Sequence, residues 1–181
     1  LVELMGGHIG FESQVGAGSK FWFTLPLVEV DAPKPDAPKV QTRIAPLEAA
    51  QRFLVVDDHP INRLLVRQIL KNTWPECEIV EADNGIKAID AIRKQEFDVI
   101  LMDMVMPEKD GIEATRELRL QFDQPIRDTP VLGLTANVNP LDLERFAAAG
   151  VSAVVLKPFD ANKVCAQVED MLREKRSSLG S

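Results

Sequence analysis

Residues with reactive side chains follow four of the five apolar segments in the later part of this 181-residue chain. They are Asp57 with Asp58 after FLVV, Asp103 after VILM, Thr135 after VLGL, and Lys157 with Pro158 after AVVL. Carboxylates attract hard divalent cations, whereas a hydroxyl and an ammonium can hold a phosphoryl group. These residue types therefore point to cation-assisted phosphate chemistry, provided that the fold brings them together.

The balance of charge in this set favours a cation. Three clustered carboxylates raise one another's pKa values, and the single ammonium of Lys157 cannot balance them. Mg²⁺ binds few protein carboxylates and keeps positions for water and phosphate oxygens. With a carboxylate that can attack phosphorus, the set is suited to phosphoryl transfer to an aspartate.

Each residue alone has a simpler explanation. An Asp after a strand is usually a turn or helix-capping residue, so Asp58 could simply cap a helix that begins at Pro60. Lys157-Pro158 could be a solvated turn, and the segment Asp83-Asn84-Gly85 is typical of an ordinary turn. Together, however, these residues form a complementary set at one predicted edge of the sheet, which the simpler explanations do not account for.

The apolar patterns that must position these residues alternate between strand and helix. The predicted strands are Phe53–Val56, Ile79–Ala82, Val99–Met102, Val131–Leu134 and Ala153–Leu156. The predicted helices are Ile61–Leu70, Ile86–Lys94, Gly111–Phe122, Leu141–Ala149 and Ala161–Lys175. This order predicts an α/β fold, a doubly wound five-stranded parallel sheet with helices on both faces. In such sheets ligands bind beyond the carboxyl ends of the strands.

The chain divides into zones of different composition. Residues 1–27 contain a helix end at Gly6-Gly7 and two strand-like runs, Ile9–Val15 and Lys20–Leu27, which predict a β-hairpin. Residues 28–51 are rich in Pro, Lys, Asp and Ala and are interpreted as a linker. Residues 52–175 form the α/β domain, and 176–181 a short tail.

Composition excludes several classes of protein. The net charge of −7 argues against direct nucleic-acid binding. Two cysteines, Cys77 and Cys165, fit a reducing, cytoplasmic setting. No apolar run approaches the roughly 18 residues of a membrane span, and no signal peptide is visible. Because the first residue is Leu, we expect a piece of a longer protein whose parent could be anchored in the inner membrane.

The motifs of residues 52–175 resemble the receiver domain of two-component response regulators. The matching segments are LVVDDHPIN, VILMDMVMPEKDG, PVLGLTAN and VVLKPFD. The resemblance implies that Asp103 accepts a phosphoryl group from a phosphohistidine. It also implies that Asp57, Asp58, Asp103 and the backbone carbonyl of Val105 bind Mg²⁺. Thr135 and Lys157 would contact the phosphoryl oxygens, and the Lys157-Pro158 bond would be cis.

Two departures from the family pattern affect the expected behaviour. Val154 occupies a position at which the family often has an aromatic residue that moves with the switch hydroxyl. Val105 and Asn137 occupy positions that tune dephosphorylation in the family. Since an apolar side chain cannot orient an attacking water, Val105 predicts slow self-hydrolysis.

Residues 1–27 are similar to the last helix end and hairpin of the ATP-binding domain of histidine kinases, through LVELMGGHIGFES, GAGS and FWFTLPL. The parent would then be a hybrid sensor kinase. The chain lacks the upstream nucleotide-binding segments, so we expect no kinase activity from it, and neither His8 nor His59 resembles a phosphodonor. Since an isolated hairpin is marginal, residues 1–27 would pair with themselves or with another chain, or be partly disordered.

Other functions compete with phosphoryl relay. An aspartate-nucleophile phosphatase would need an Asp where Val105 stands. A flavin-binding relative would need a phosphate loop after the first strand, where two acids lie instead. An interaction-only receiver would dock a partner protein without phosphoryl turnover. If the chain relays a phosphoryl group, we expect the signal to pass by protein contact, through the surface of the fourth helix, fifth strand and fifth helix.

Overall fold

The computed structural model describes residues 8–14, 18–24, 50–137 and 139–179. The chain separates into two compact units, residues 1–45 and 46–181, which are described one at a time. In the first unit, strand β1 (His8–Gln14) pairs antiparallel with β2 (Gly18–Thr24), with Glu12 opposite Lys20. The predicted hairpin is therefore present, and the aromatic side chains of Phe11 and Trp22 are exposed. Association of this hairpin with another chain stays a prediction. The predicted helix end at Gly6-Gly7, residues 28–49 of the linker, Val15 and the last residues of the second run lie outside the described residues.

The second unit alternates strands and helices from residue 52 to residue 179. Its strands are β3 (Arg52–Val56), β4 (Glu78–Ala82), β5 (Val99–Asp103), β6 (Val131–Thr135) and β7 (Ala153–Leu156). Its helices are α1 (Pro60–Thr73), α2 (Gly85–Lys94), α3 (Gly111–Gln121), α4 (Pro140–Ala149) and α5 (Ala161–Leu179), with a short 3₁₀ turn at Ile126–Asp128. Each predicted strand and helix is present, with ends that differ by a few residues. Helix α5 continues past Lys175 into the segment predicted to be a tail.

The five strands form one parallel sheet in the order β4-β3-β5-β6-β7. Alternate side chains of the central strands enter different cores. Leu54 and Met102 pack with α2 and α3, whereas Val55 and Leu101 pack with α1 and α5. Strands buried on both faces explain the continuous apolar runs in the sequence. The predicted doubly wound fold is confirmed.

The strand order determines where a ligand can bind. The chain runs from β3 outward to β4 and then crosses back to form β5 on the other side of β3. The direction of winding therefore reverses between β3 and β5, and the crevice lies between their carboxyl ends. Asp57 directly follows β3, and Asp103 is the last residue of β5. The topology therefore brings the acidic pair and the third acid, separated by more than forty residues, to one crevice.

The residues at several helix ends suit the positions that they occupy. Pro60 is the first residue of α1, where its missing N–H costs nothing. Gly150 ends α4 in the left-handed conformation, with φ of 89°. Asn84, predicted to belong to an ordinary turn, also caps α2 by accepting a hydrogen bond from the backbone of Lys87.

Candidate functional site

Three carboxylates meet at the crevice. One oxygen from each of Asp57, Asp58 and Asp103 lies within 4.8 Å of the other two. The residues Asp57 and Asp103 are buried, with 0% and 4% of their surface exposed, whereas Asp58 is exposed. Asp58 does not cap α1, because His59 holds the capping position and makes no side-chain capping bond. The simpler explanation of Asp58 as a helix cap is therefore wrong.

Lys157 joins two of these acids from the end of β7. Its Nζ lies 2.7 Å from Oδ2 of Asp57 and 2.6 Å from Oδ2 of Asp103. The backbone N–H of Lys157 donates to the carbonyl of Thr135 at 2.7 Å, which anchors the residue to β6. The Lys157-Pro158 bond is cis, as the resemblance implied. The turn-only explanation of Lys157 does not account for an ammonium held between two buried carboxylates.

Two groups of the site, Asp103 and Lys157, have raised pKa values. Burial raises the pKa of the Asp103 carboxyl above its ordinary value, although the hydrogen bond from Lys157 opposes the shift. Burial alone would lower the pKa of Lys157, but the hydrogen bonds to Asp103 and Asp57 outweigh it and raise that pKa. Loss of solvation is thus the main cause of the Asp103 shift, whereas contact with the two acids causes the Lys157 shift. With all acids ionised, three carboxylates against one ammonium leave an excess of negative charge.

The excess of negative charge in this cluster fits a divalent cation. When all three carboxylates are ionised, the ammonium of Lys157 offsets one charge and leaves two, which is the charge of Mg²⁺. The donors are oxygens, and one of the three carboxylates faces solvent, where water can complete a coordination shell. The residues present therefore fit Mg²⁺ better than a soft metal, which would require thiolates or imidazoles.

Val105 and Thr135 have clear positions beside this cluster. The backbone N–H of Val105 donates to Oδ1 of Asp103 at 3.1 Å, and the Val105 side chain is 75% exposed. Thr135 ends β6 and is buried, and its hydroxyl donates to the carbonyl of Asn137 at 2.8 Å. Within the described residues, the Thr135 hydroxyl makes no hydrogen bond to an acid or to Lys157. The structure thus gathers the three acids and Lys157 directly, with Thr135 on the adjacent strand.

The loop that carries Val105 is clamped at several points. Glu108 adopts a positive φ of 66°, and its carboxylate accepts a hydrogen bond from the Asn84 side chain at 2.8 Å. The N–H of Gly85 donates to the carbonyl of Lys109 at 3.1 Å. At Gly111 a Cβ atom would lie 2.1 Å from the carbonyl oxygen of Asp103, so only glycine lets α3 approach the end of β5 so closely.

Sequence reasoning missed the residues that hold the acid pair. Asn62 donates its side-chain N–H to both oxygens of Asp57, at 3.0 and 3.1 Å. Arg63 donates to the backbone carbonyl of Asp57 at 2.7 Å and to that of Asp58 at 3.3 Å. The available signal was their position in the first turn of the helix that follows the acids, where side chains can reach back to the preceding loop.

Comparison with known proteins assigns this arrangement to a family. The sequence of residues 53–169 matches the response regulator receiver domain family. The chain belongs to that family. The receiver covers more than half of the chain, and all three acids, Thr135 and Lys157 fall inside the matched region.

Related proteins extend the match beyond the receiver. The chain is 36% identical to the sensor histidine kinase AruS of Pseudomonas aeruginosa over 160 residues, which is 87% of this chain and 15% of that protein. It is 30% identical to the sensory/regulatory protein RpfC of Xanthomonas campestris over 195 residues, 94% of this chain and 26% of RpfC. The chain therefore spans a small part of the length of these relatives, and the AruS match is longer than the receiver region alone.

A solved structure of a related receiver domain contains a metal ion. The receiver domain of the sensor histidine kinase PA1611 from Pseudomonas aeruginosa is 31% identical, with a TM-score of 0.62 over 68% of this chain and 98% of its own. That receiver has a magnesium ion coordinated in its active-site cleft.

In the part of our chain that the structure describes, no helix combines the length and apolarity that a bilayer crossing requires.

Proposed function

We propose that Asp103 of this receiver accepts a phosphoryl group from a phosphohistidine and passes on or gates a signal of the parent protein. The observation that carries the proposal is the position of Asp103, a buried carboxylate in contact with Lys157 at the switch point of the sheet. We further propose that Asp57, Asp58, Asp103 and the carbonyl of Val105 hold Mg²⁺. Bound Mg²⁺ would neutralise charge on the phosphoryl oxygens and the acids around them.

The residues of the chain supply the remaining chemistry. A carboxylate oxygen of Asp103 attacks phosphorus, a P–O bond forms, and the P–N bond to the histidine breaks with its electron pair returning to the imidazole. Lys157 lies within hydrogen-bond distance of Asp103 and so can donate to an oxygen of the transferred group. Thr135 would donate its hydroxyl to the same group after giving up its bond to Asn137, which supplies a conformational signal.

The partner of this reaction is a protein that carries a phosphohistidine, either a kinase dimerisation domain or a phosphotransfer protein. Three large apolar side chains on α1 are exposed: Ile61 by 66%, Leu64 by 60% and Leu65 by 45%. Ile61 precedes Asn62, which contacts Asp57, so this α1 apolar face borders the reaction site. A helical phosphohistidine protein seated on the α1 apolar face would bring its imidazole towards Asp103.

The domain organisation follows from the same reasoning. We propose that residues 1–27 are a remnant of a kinase ATP-binding domain, 28–51 a linker and 52–175 the receiver, whose last helix continues to Leu179. Two findings support this, the separation into compact units near residue 45 and the match to AruS beyond the receiver. The parent would be a hybrid histidine kinase, with this receiver in the cytoplasm.

Phosphorylation by a small phosphodonor tests the proposed function. The wild-type chain incubated with acetyl phosphate and Mg²⁺ should gain one acid-stable, base-labile phosphoryl group. Asp103→Asn should gain none. Asp90→Asn removes an exposed carboxylate from α2 and should label like the wild type. Labelling of Asp103→Asn as strong as that of the wild type would place the phosphoryl group on another residue and overturn the role of Asp103. No labelling of the wild type would favour an interaction-only receiver.

A further inference from the structure

We propose that Asn62 is a positioning residue of the cation site, which fixes the carboxylate of Asp57 and thereby sets the affinity for Mg²⁺. The inference rests on the proposed function, because it assumes that the acids bind the cation. It concerns a residue that would touch neither the phosphoryl group nor the reacting oxygen of Asp103.

The first observation is how completely the Asp57 carboxylate is held. Oδ1 accepts from the backbone N–H of His59 at 2.9 Å and from the Asn62 side chain at 3.0 Å. Oδ2 accepts from Asn62 at 3.1 Å and from Lys157 at 2.7 Å. Asn62 is thus the group that contacts both oxygens, and it fixes the plane of a carboxylate with no exposed surface.

The second observation is the charge of that donor. An amide satisfies a buried carboxylate without adding positive charge. A Lys or Arg in its place would offset another negative charge and weaken the attraction for a cation. Asn62 therefore orients Asp57 while leaving the negative charge of the cluster available to Mg²⁺.

The third observation is that the next residue holds the backbone of the same acids. Arg63 donates to the carbonyls of Asp57 and Asp58, and its Nε lies 3.5 Å from Oε2 of Glu81 on β4. The first turn of α1 therefore fixes both the side chain and the main chain of the acid pair. Asp58, in contrast, is exposed, and its carboxylate accepts no hydrogen bond from any described residue, so this carboxylate can turn towards a cation.

The expected effect is a loss of cation affinity rather than of chemistry. Residues that orient metal ligands typically contribute on the order of 10- to 100-fold to affinity. Asn62→Leu, which keeps the size of the side chain but removes the donor, should weaken Mg²⁺ binding about tenfold. The rate of phosphorylation by acetyl phosphate should return close to the wild-type value at saturating Mg²⁺.

Calorimetric titration of the full chain with Mg²⁺ alone tests the inference. The matched control is Gln68→Leu, which removes an exposed amide of the same helix whose partner is Asn72, and its Mg²⁺ affinity should equal that of the wild type. In the background of Asp57→Asn, Asn62→Leu should cause no further loss, because the group it positions is already changed. Asn62→Ser, too short to reach Asp57, replaces the Leu variant if thermal unfolding shows that Asn62→Leu is not folded.

The outcomes separate this inference from the proposed function. Equal Mg²⁺ affinities for wild type and Asn62→Leu, or an undiminished loss in the Asp57→Asn background, would overturn the role of Asn62 and leave phosphoryl acceptance standing. A wild-type chain that binds no Mg²⁺ would overturn the role of Asn62 together with the proposed cation site. Labelling of Asp103 with acetyl phosphate, measured separately, shows which of the two has failed.

Discussion

Lys157 Nζ lies 2.6 Å from Asp103 Oδ2 and 2.7 Å from Asp57 Oδ2, so one ammonium bridges the proposed acceptor and one of the proposed metal ligands. The side chain of Lys157 is only 17% exposed, which limits solvent screening of these contacts. In the absence of a cation, this bridge is what holds the buried carboxylates together. On phosphoryl transfer, the same ammonium is already beside the oxygens that gain charge.

Replacing Lys157 with Met should destabilise the metal-free receiver by about 3 kcal/mol, since it leaves two buried carboxylates without their ion-pair partner. Mg²⁺ should recover much of that loss, because the cation replaces the missing positive charge. Urea unfolding in EDTA and in Mg²⁺ measures both effects. Lys87→Met, which breaks an exposed pair with Asp83, is the control and should change stability by less than about 1 kcal/mol. Equal destabilisation by the two variants would show that the bridge contributes no stability.

Asp103→Asn should increase the stability of the metal-free protein, and the increase should depend on pH. Burial raises the pKa of Asp103, so the folded state keeps this proton to higher pH than the unfolded chain does. The stability associated with the protonated group is fully present below its ordinary pKa of 3.8 and is lost as pH rises through the raised value. The gain from Asn should therefore grow with pH across that window and then become constant.

Urea unfolding in EDTA at a series of pH values measures this difference between Asp103→Asn and the wild type. Asp90→Asn controls for the loss of one exposed carboxylate. A gain that shrinks as pH rises would contradict the sign of the shift.

Val105→Asn should accelerate loss of the phosphoryl group from Asp103, on the order of tenfold, because an amide at this exposed position can orient water that a Val cannot. The decay of labelled protein after removal of the donor, in Mg²⁺, gives the rate. Leu120→Asn makes a similar apolar-to-amide change at an exposed site on α3 and should leave the rate unchanged. Slow self-hydrolysis of the wild type is part of the prediction, and decay within seconds would count against it.

Leu64→Glu should slow phosphoryl transfer from a phosphohistidine protein at least tenfold, since it places a charge in the α1 apolar face. Its labelling by acetyl phosphate should stay at the wild-type rate, because a small donor needs no docking surface. Leu120→Glu adds the same charge at a distant exposed leucine and should affect neither reaction. A similar slowing with both donors would mean that Leu64 supports the site itself and not the partner.

The sequence alone determined the sheet, the order of its elements and the residues at the strand ends. Apolar runs such as Val99–Met102 identify buried strands, because a strand that is covered on both faces needs an apolar residue at every position. The acids could be recognised as candidate site residues because charged groups directly after a buried strand are expected to have a structural or chemical role. The pairing of Asp57-Asp58 with Asp103, more than forty residues apart, could be inferred because parallel strands direct their carboxyl ends to one edge.

Only the tertiary structure decided how those residues are held. The bridge by Lys157, the retention of the Thr135 hydroxyl by Asn137, and the contact of Asn62 with both oxygens of Asp57 depend on side-chain directions. Sequence patterns report which face a residue occupies and where an element ends. They do not report which donor reaches a buried carboxylate, because that depends on packing between elements far apart in the chain.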